Sequence, residues 1–338
     1  MDPISQGTVG VAFAQSSASN NNIFKISLIG LIAGLAPDAD VFIKSSTDPI
    51  LFLEYHRQFS HSLFFIPFGA LIVAILFFPF FKSSLGFNRI YLASFLGYLT
   101  HGLLDACTSY GTLLYWPFSN ERITWNNISI VDPILTIPTL IFVILAIKAK
   151  KKLFSYFAII WTIFYLSLGV LQYERALIIA KKVALSRGHN SEKLTLKPSF
   201  GNIILWKSIY YYEGYFYVDA IRVFNSSTWC SGDSIKKFDY QYHLPKLKKN
   251  SQQRNDIERF RWFSQDYLGF DDEKKLLTDL RYSMIPNQIS PMWGIIIDDK
   301  KTANEHANWW TSRSVNQAKL NLFSQMLIGN KCRDSLKY

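Results

Sequence analysis

Between Pro37 and Asp132 the apolar runs of this chain are interrupted by side chains that bind metals. Asp38 and Asp40 follow Pro37 and flank one residue. His56 and His61 bracket Arg57-Gln58-Phe59-Ser60, His101 and Asp105 lie four apart in His101-Gly102-Leu103-Leu104-Asp105, and Asp132 precedes Pro133. Carboxylates as close as Asp38 and Asp40 repel, and one holds a proton unless a cation compensates. A spacing of four puts His101 and Asp105 on one helix face, which Ser94 and Tyr98 extend into a polar seam. Mixed histidine and carboxylate donors suit zinc, manganese or iron better than calcium or magnesium, which prefer oxygen throughout. Asp38, Asp40, His56, His61, His101 and Asp105 are more donors than one catalytic zinc uses. They imply one or two divalent ions, zinc or manganese foremost, or a smaller ligand set whose histidine tautomers are fixed by the remaining side chains. The chemistry is hydrolysis by a metal-activated water, with Asp38 and Arg57 as the catalytic candidates and Arg57 clamping an anionic phosphate or carboxylate.

Each feature alone also has a plainer reading. Pro-Asp pairs end or cap helices, a histidine at a membrane edge can be a hydrogen-bonded interface residue, and His101 with Asp105 can be a structural buried pair. Asp132 before Pro133 reads as a helix-start residue rather than a ligand, and Cys107 as a small packing residue. The whole set falling at one face is harder to explain by separate accidents, because ionisable groups in apolar, membrane-edge sequence are costly and usually functional.

The elements that must position these residues divide the 338-residue chain into an apolar part, 1–171, and a polar part, 172–338. The fold expected is an α-helical membrane bundle of about five apolar helices followed by a small α+β domain. Ser62 to Phe81 and Leu153 to Leu171 are the clearest spans; Ile90 to Ala106 and Pro133 to Ile147 are further apolar helices. Ile4 to Ala18 is too short to cross, and Ile23 to Ala36 either crosses with Lys25 snorkelling or enters and breaks at Pro37. Loops 82–89 and 148–152 carry six Lys/Arg, against three in 37–61 and 107–132. Five alternating spans with the lysine-rich loops in the cytoplasm place the metal motifs and the polar half on the outer face of the membrane. In the polar half, Gln172 to Ser186 and Asp256 to Leu268 read as helices, Asn202 to Val223 as a hairpin broken at Glu213-Gly214, Leu276 to Tyr282 and Trp293 to Ile297 as strands, and the residues after Lys300 as a helical tail.

The net charge of +11 is scattered rather than gathered into a stripe, so nucleic acid is not an expected partner; the expected partner is the lipid bilayer. The amino-terminal stretch lacks a basic region before an apolar core, so export is expected to come from internal spans. Cys107, Cys230 and Cys332 form no metal or disulfide framework, and a bridge from Cys230 to Cys332 and two unpaired thiols are equally open.

These residues resemble the bacterial YdjM-like family, described as membrane-bound, metal-dependent hydrolases. The resemblance runs through Met1-Asp2-Pro3-Ile4-Ser5-Gln6, Gly34-Leu35-Ala36-Pro37-Asp38-Ala39-Asp40, His56 to Ser62, His101 to Asp105, Tyr110-Gly111-Thr112, Trp116-Pro117-Phe118-Ser119 and Ile130-Val131-Asp132-Pro133. It continues more weakly through Asn202 to Trp206, Phe260 to Ser264 and Thr278 to Arg281. It implies an inner-membrane, multi-pass protein with a hydrolytic site of Asp38, Asp40, His56, His61, His101 and Asp105. This chain has Arg57-Gln58 where Arg-Gly is usual and Ser60 where Thr is common, and neither change removes a ligand; Tyr282-Ser283 stands where Met-Gly usually follows Asp-Leu-Arg, which leaves the role of that part open. The function expected is hydrolysis of a lipid-linked or membrane-proximal ester or phosphoester. The alternative is a non-enzymatic membrane protein with a structural metal site and a partner-binding external domain, and a transporter is less favoured because the cluster sits at one face.

Overall fold

The computed structural model describes residues 1–312, 316–330 and 333–334, and these fall into two compact units. Cys332 lies outside the described residues. The first unit comprises Met1–Ile43, Tyr55–Val170 and Phe200–Asn202; the second comprises Lys44–Glu54, Leu171–Ser199 and Ile203–Tyr338.

The helical first unit is built around α5 (Phe87–Cys107), against which α1 (Pro3–Gln15), α2 (Ile23–Leu35) and α4 (Ile66–Phe81) pack, the short α3 (Leu51–Tyr55) preceding α4 in the chain. Helix α6 (Pro133–Ala149) packs on α1, and α7 (Leu153–Ser186) follows it. The helices α1 and α2 approach very closely: a Cβ on Gly10 would lie 2.8 Å from Gly34 Cα and 2.9 Å from Gly30 O. Only glycine allows that contact, which brings two backbones together as small residues do between apolar helices.

The expectation of about five spans does not hold. Two helices are long and apolar enough to cross a membrane, Leu63–Phe81 and Leu153–Ser186. With 13 residues each, α1 and α2 reach about 20 Å, short of a hydrocarbon core of about 30 Å. Helix α6 has 17 residues. Helix α5 is long enough, but Asn88, Arg89, His101 and Asp105 lower its hydropathy, and its polar seam turns inward: Ser94, Tyr98, His101 and Asp105 are all buried. Gln172 to Ser186 is helical as expected, and it continues α7 without a break.

The second unit holds two antiparallel sheets, of order β1-β2-β3-β4-β9 and β5-β6-β7-β8. The first contains β1 (Lys193–Pro198), β2 (Leu205–Tyr212), β3 (Tyr215–Val223), β4 (Ser227–Lys236) and the two-residue β9 (Arg333–Asp334). The second contains β5 (Leu268–Asp271), β6 (Leu276–Asp279), β7 (Trp293–Ile296) and β8 (Asn308–Thr311), and the helices are α8 (Tyr240–His243), α9 (Gln252–Phe263) and α10 (Gln317–Ile328). The hairpin between β2 and β3 turns at Glu213 (φ 44°) and Gly214 (φ 83°), two left-handed residues whose twist matches that of the strands they join.

Lys207 on β2 is buried, and its Nζ donates to Ser283 Oγ at 2.8 Å and to Gln288 O at 3.0 Å. Burial pushes its pKa down to about 7, against the pull of Asp233 and Asp279. Between that value and about 10.4 the unfolded chain holds a proton that the folded chain lacks, so stability rises with pH. Denaturation of the full chain in detergent is expected to gain about 2 kcal/mol from pH 7 to pH 9 relative to Lys207→Met. Parallel pH profiles for the two proteins would contradict this assignment.

Candidate metal centre

Helix α2 ends where Pro37 removes a backbone N–H, and a tight turn over Ala36–Phe42 follows. That turn presents Asp38 and Asp40. The Gly34 carbonyl, one of the last of α2, is open to another donor because the helix stops before a residue that could bond to it. The turn Phe59–His61 delivers His61, while His101 and Asp105 come from one face of α5.

Four donors from these three segments converge. His61 Nε2 lies 3.4 Å from Asp38 Oδ1, 3.2 Å from Asp105 Oδ2 and 2.9 Å from His101 Nε2. His101 Nε2 lies 3.3 Å from Asp38 Oδ1 and 3.6 Å from Asp105 Oδ2. An ion bound tetrahedrally at about 2.0–2.1 Å has donor-to-donor edges of about 3.3–3.4 Å. The five distances scatter around that edge, so the donor set fits a divalent ion of zinc's size.

The outer partners fix what each donor offers. His101 Nδ1 lies 2.6 Å from the Gly34 carbonyl, which can only accept, so Nδ1 carries the proton and neutral His101 turns the lone pair of Nε2 inward. His61 Nδ1 lies 3.2 Å from Asp40 Oδ2 and 3.0 Å from Ser60 Oγ, which gives His61 the same orientation. Asp105 Oδ1 accepts from Gln6 Nε2 at 2.9 Å and from the Met1 amino group. Among the described residues Asp105 Oδ2 accepts no hydrogen bond, although Arg57 Nε is 3.1 Å away with poor alignment. The Nε2 atoms of two imidazoles and two carboxylate oxygens therefore face one another in a buried space. Burial would lower the pKa of His61, but Asp105, Asp38 and Asp40 outweigh it and push it up to about 10. Burial would raise Asp38, but its hydrogen bonds with His101 and His61 hold it well below the usual carboxylate range. The cluster demands positive charge, which either a proton on His61 or a bound cation satisfies.

Asp40 and His56 stand outside this quartet. Asp40 Oδ2 accepts from Arg57 N at 2.9 Å and Ser60 Oγ at 2.8 Å, and Asp40 Oδ1 lies 2.8 Å from His56 Nδ1. Asp38, Asp40 and His56 form a second group with donor atoms within metal-sharing distance. Asp40 thus orients His61 as a carboxylate behind a metal-bound histidine does. Asp40→Asn is expected to weaken zinc binding by about 10–100-fold with the ligands intact, read by competition with a chelating dye. An unchanged affinity would show that the His61 tautomer is set elsewhere.

Arg57 is buried, in left-handed backbone conformation (φ 65°), with its guanidinium 4.6 Å from the Tyr110 ring centre and Nη1 3.1 Å from Thr108 Oγ1. Asp132 caps α6, accepting from Ile134 N at 3.1 Å and from Tyr165 OH at 3.0 Å. Cys107 is a buried free thiol. In the second unit Asp48, Asp256 and His306 also cluster. There Arg259 already donates to Asp48 at 2.8 Å and to Asp256 at 3.0 Å.

Gln6, the Gly34 carbonyl and Gly102 carry parts of the centre that ligand-type spacing does not reveal. Residue type alone gives Gln6 no signal, since α1 also carries buried Ser5, Thr8 and Gln15.

The profile of the family described as YdjM inner membrane protein matches residues 1–176, more than half of the chain. The chain belongs to the YdjM family. That membership supports an inner-membrane location, and the matched region holds every residue of the quartet. The Uncharacterized protein YfhP of Bacillus subtilis (strain 168) is 28% identical over 111 residues, which is 32% of this YdjM-family chain and 33% of YfhP. The chain thus covers about one third of that relative. No solved structure matches this one.

Proposed function

We propose that this YdjM-family protein is a membrane-bound, metal-dependent hydrolase whose ion is held by Asp38, His61, His101 and Asp105. The supporting observation is the convergence of four ligand-type atoms at 2.9–3.6 Å, with acceptors behind both histidines that keep Nδ1 protonated and leave Nε2 for an ion. Bound there, zinc or manganese supplies an acidified water and an electrophile for a carbonyl or phosphoryl oxygen. The side chain of Asp38 is 26% exposed, whereas His61, His101 and Asp105 are fully buried. Water and substrate reach the centre past Asp38, the one partly exposed member of the quartet. Asp40 and Gly34 hold the imidazoles in register, and Arg57 steadies Asp105 and adds positive charge for an anionic substrate. The substrate in this reading is a membrane-proximal ester or phosphoester. Chain order puts loop 82–89 at the opposite end of α4 and α5 from these ligands; in this reading that loop and 148–152, with six Lys/Arg together against three in 37–61 and 107–132, are cytoplasmic and the centre lies on the outer face.

One observation favours a structural ion instead: four protein donors, three fully buried, close a tetrahedral shell as structural zinc sites do. Metal analysis of the full chain in detergent, with an ester and phosphoester panel, separates the two. Turnover by the metal-loaded protein that Asp38→Asn abolishes supports the hydrolase. A loaded protein that hydrolyses nothing, and merely loses stability on chelation, supports the structural ion.

A further inference from the structure

The metal centre is bordered by aromatic side chains that nothing in the first unit covers among the described residues. Phe42 ends the turn that carries Asp38 and is 82% exposed; Phe118 is also 82% exposed, and Phe64 and Tyr115 are each 47% exposed. Phe64, Tyr115 and Phe118 are not scattered. The loop holding Tyr115 and Phe118 is hydrogen-bonded on both sides of the His61 turn, by Leu113 N to Arg57 O at 2.9 Å and by Leu63 N to Leu114 O at 3.0 Å. Its end returns to the start of the membrane helix, where the Phe118 and Phe64 rings meet edge to face at 5.9 Å. From Phe64 the exposed apolar surface continues along α4 through Phe68, Ile72 and Ile75. Large apolar side chains this open to water form a surface for something else, and aromatic residues at the end of a span sit at the bilayer interface.

We infer that Phe42, Phe64, Tyr115 and Phe118 form a collar that contacts the bilayer beside the metal centre, and that the substrate is an ester or phosphoester of a lipid drawn from that bilayer. The occupant is lipid rather than a protein partner because the collar is continuous with the lipid-facing side of a membrane helix. The substrate half rests on the hydrolase reading, whereas the collar does not. The reaction adds one water across the ester bond and releases an alcohol and a carboxylate or phosphate.

The test reconstitutes the full chain in phosphatidylethanolamine and phosphatidylglycerol vesicles, with nitroxide labels on Phe42→Cys and, separately, on Phe118→Cys. Both labels should be reached by oxygen and shielded from a water-soluble nickel chelate, unlike a label on Glu213→Cys in the exposed β2–β3 turn. Labels as open to nickel as that control would overturn the collar. Both sites are exposed, so the variants should fold, and retained metal content confirms it. Carrying Phe42→Asp and Phe118→Asp together should cut hydrolysis of vesicle phospholipid by roughly tenfold or more, while hydrolysis of a short-chain soluble ester stays unchanged. Equal loss on both substrates would overturn the lipid substrate. Wild-type hydrolysis of neither would overturn the hydrolase reading, leaving the label depths to decide the collar alone.

Discussion

His101→Ala will leave the full chain without its divalent ion: metal analysis should fall from about one ion per chain to less than about a tenth, a larger loss than the 10–100-fold attached to an outer partner. The expectation follows from what His101 does in the quartet. It supplies the Nε2 donor to three of the five measured edges, and its other nitrogen is committed to the Gly34 carbonyl. Removing the ring leaves His61, Asp38 and Asp105 as an incomplete set and leaves the Gly34 carbonyl unpaired in a buried place. A thermal comparison separates lost metal from lost fold. An ion present at about 1,000 times its dissociation constant adds about 4 kcal/mol to stability, so a chelator should lower the wild-type melting temperature and leave His101→Ala unmoved. A variant that keeps a full complement of ion would remove His101 from the ligand set.

The sequence displays some of this architecture because the features that decide it are local. Pro37 marks the end of α2 on chemical grounds, and Glu213-Gly214 marks a hairpin because only a left-handed turn joins twisted strands so tightly. The spacing of His101 and Asp105 puts both on one face whatever the helix packs against. What was not legible depends on tertiary partners. Helix α5 has the length of a membrane span, yet the seam of Ser94, Tyr98, His101 and Asp105 is buried inside the unit, so apolar length misjudged it. Spacing likewise could not separate Asp38, whose oxygen faces both histidines, from Asp40, two residues on, whose oxygens are taken by Arg57 N, Ser60 and His56. A backbone carbonyl such as that of Gly34 has no side-chain signature at all. In the polar half, β1, β4, β5 and β8 carry weak alternation, and they become strands through the neighbours they pair with.

Gly102→Ala should disable the metal centre without touching a ligand. Gly102 follows His101 in the interior of α5, where alanine is the better helix former by about 1 kcal/mol, so by local propensity the substitution stabilises. Packing opposes it. A Cβ on Gly102 would fall far inside van der Waals distance of the His61 carbonyl oxygen, and that atom is backbone, which cannot rotate away as a side-chain tip can. Either α5 or the Phe59–His61 turn must move, and each carries donors of the quartet. A functional constellation tolerates displacements of about 0.5 Å, less than relief of this contact requires. Metal affinity is therefore expected to fall by at least about tenfold, and stability by about 1–3 kcal/mol from overpacking, against the sign of helix propensity. Gly86→Ala is the control: a Cβ there meets nothing within 4 Å, so it should leave metal content unchanged, at a cost of up to about 1 kcal/mol in stability because Gly86 is the N-cap of α5. If Gly102→Ala binds metal as the wild type does and melts higher, helix propensity outweighs the contact, and the close approach of α5 to the His61 turn does not hold the centre together.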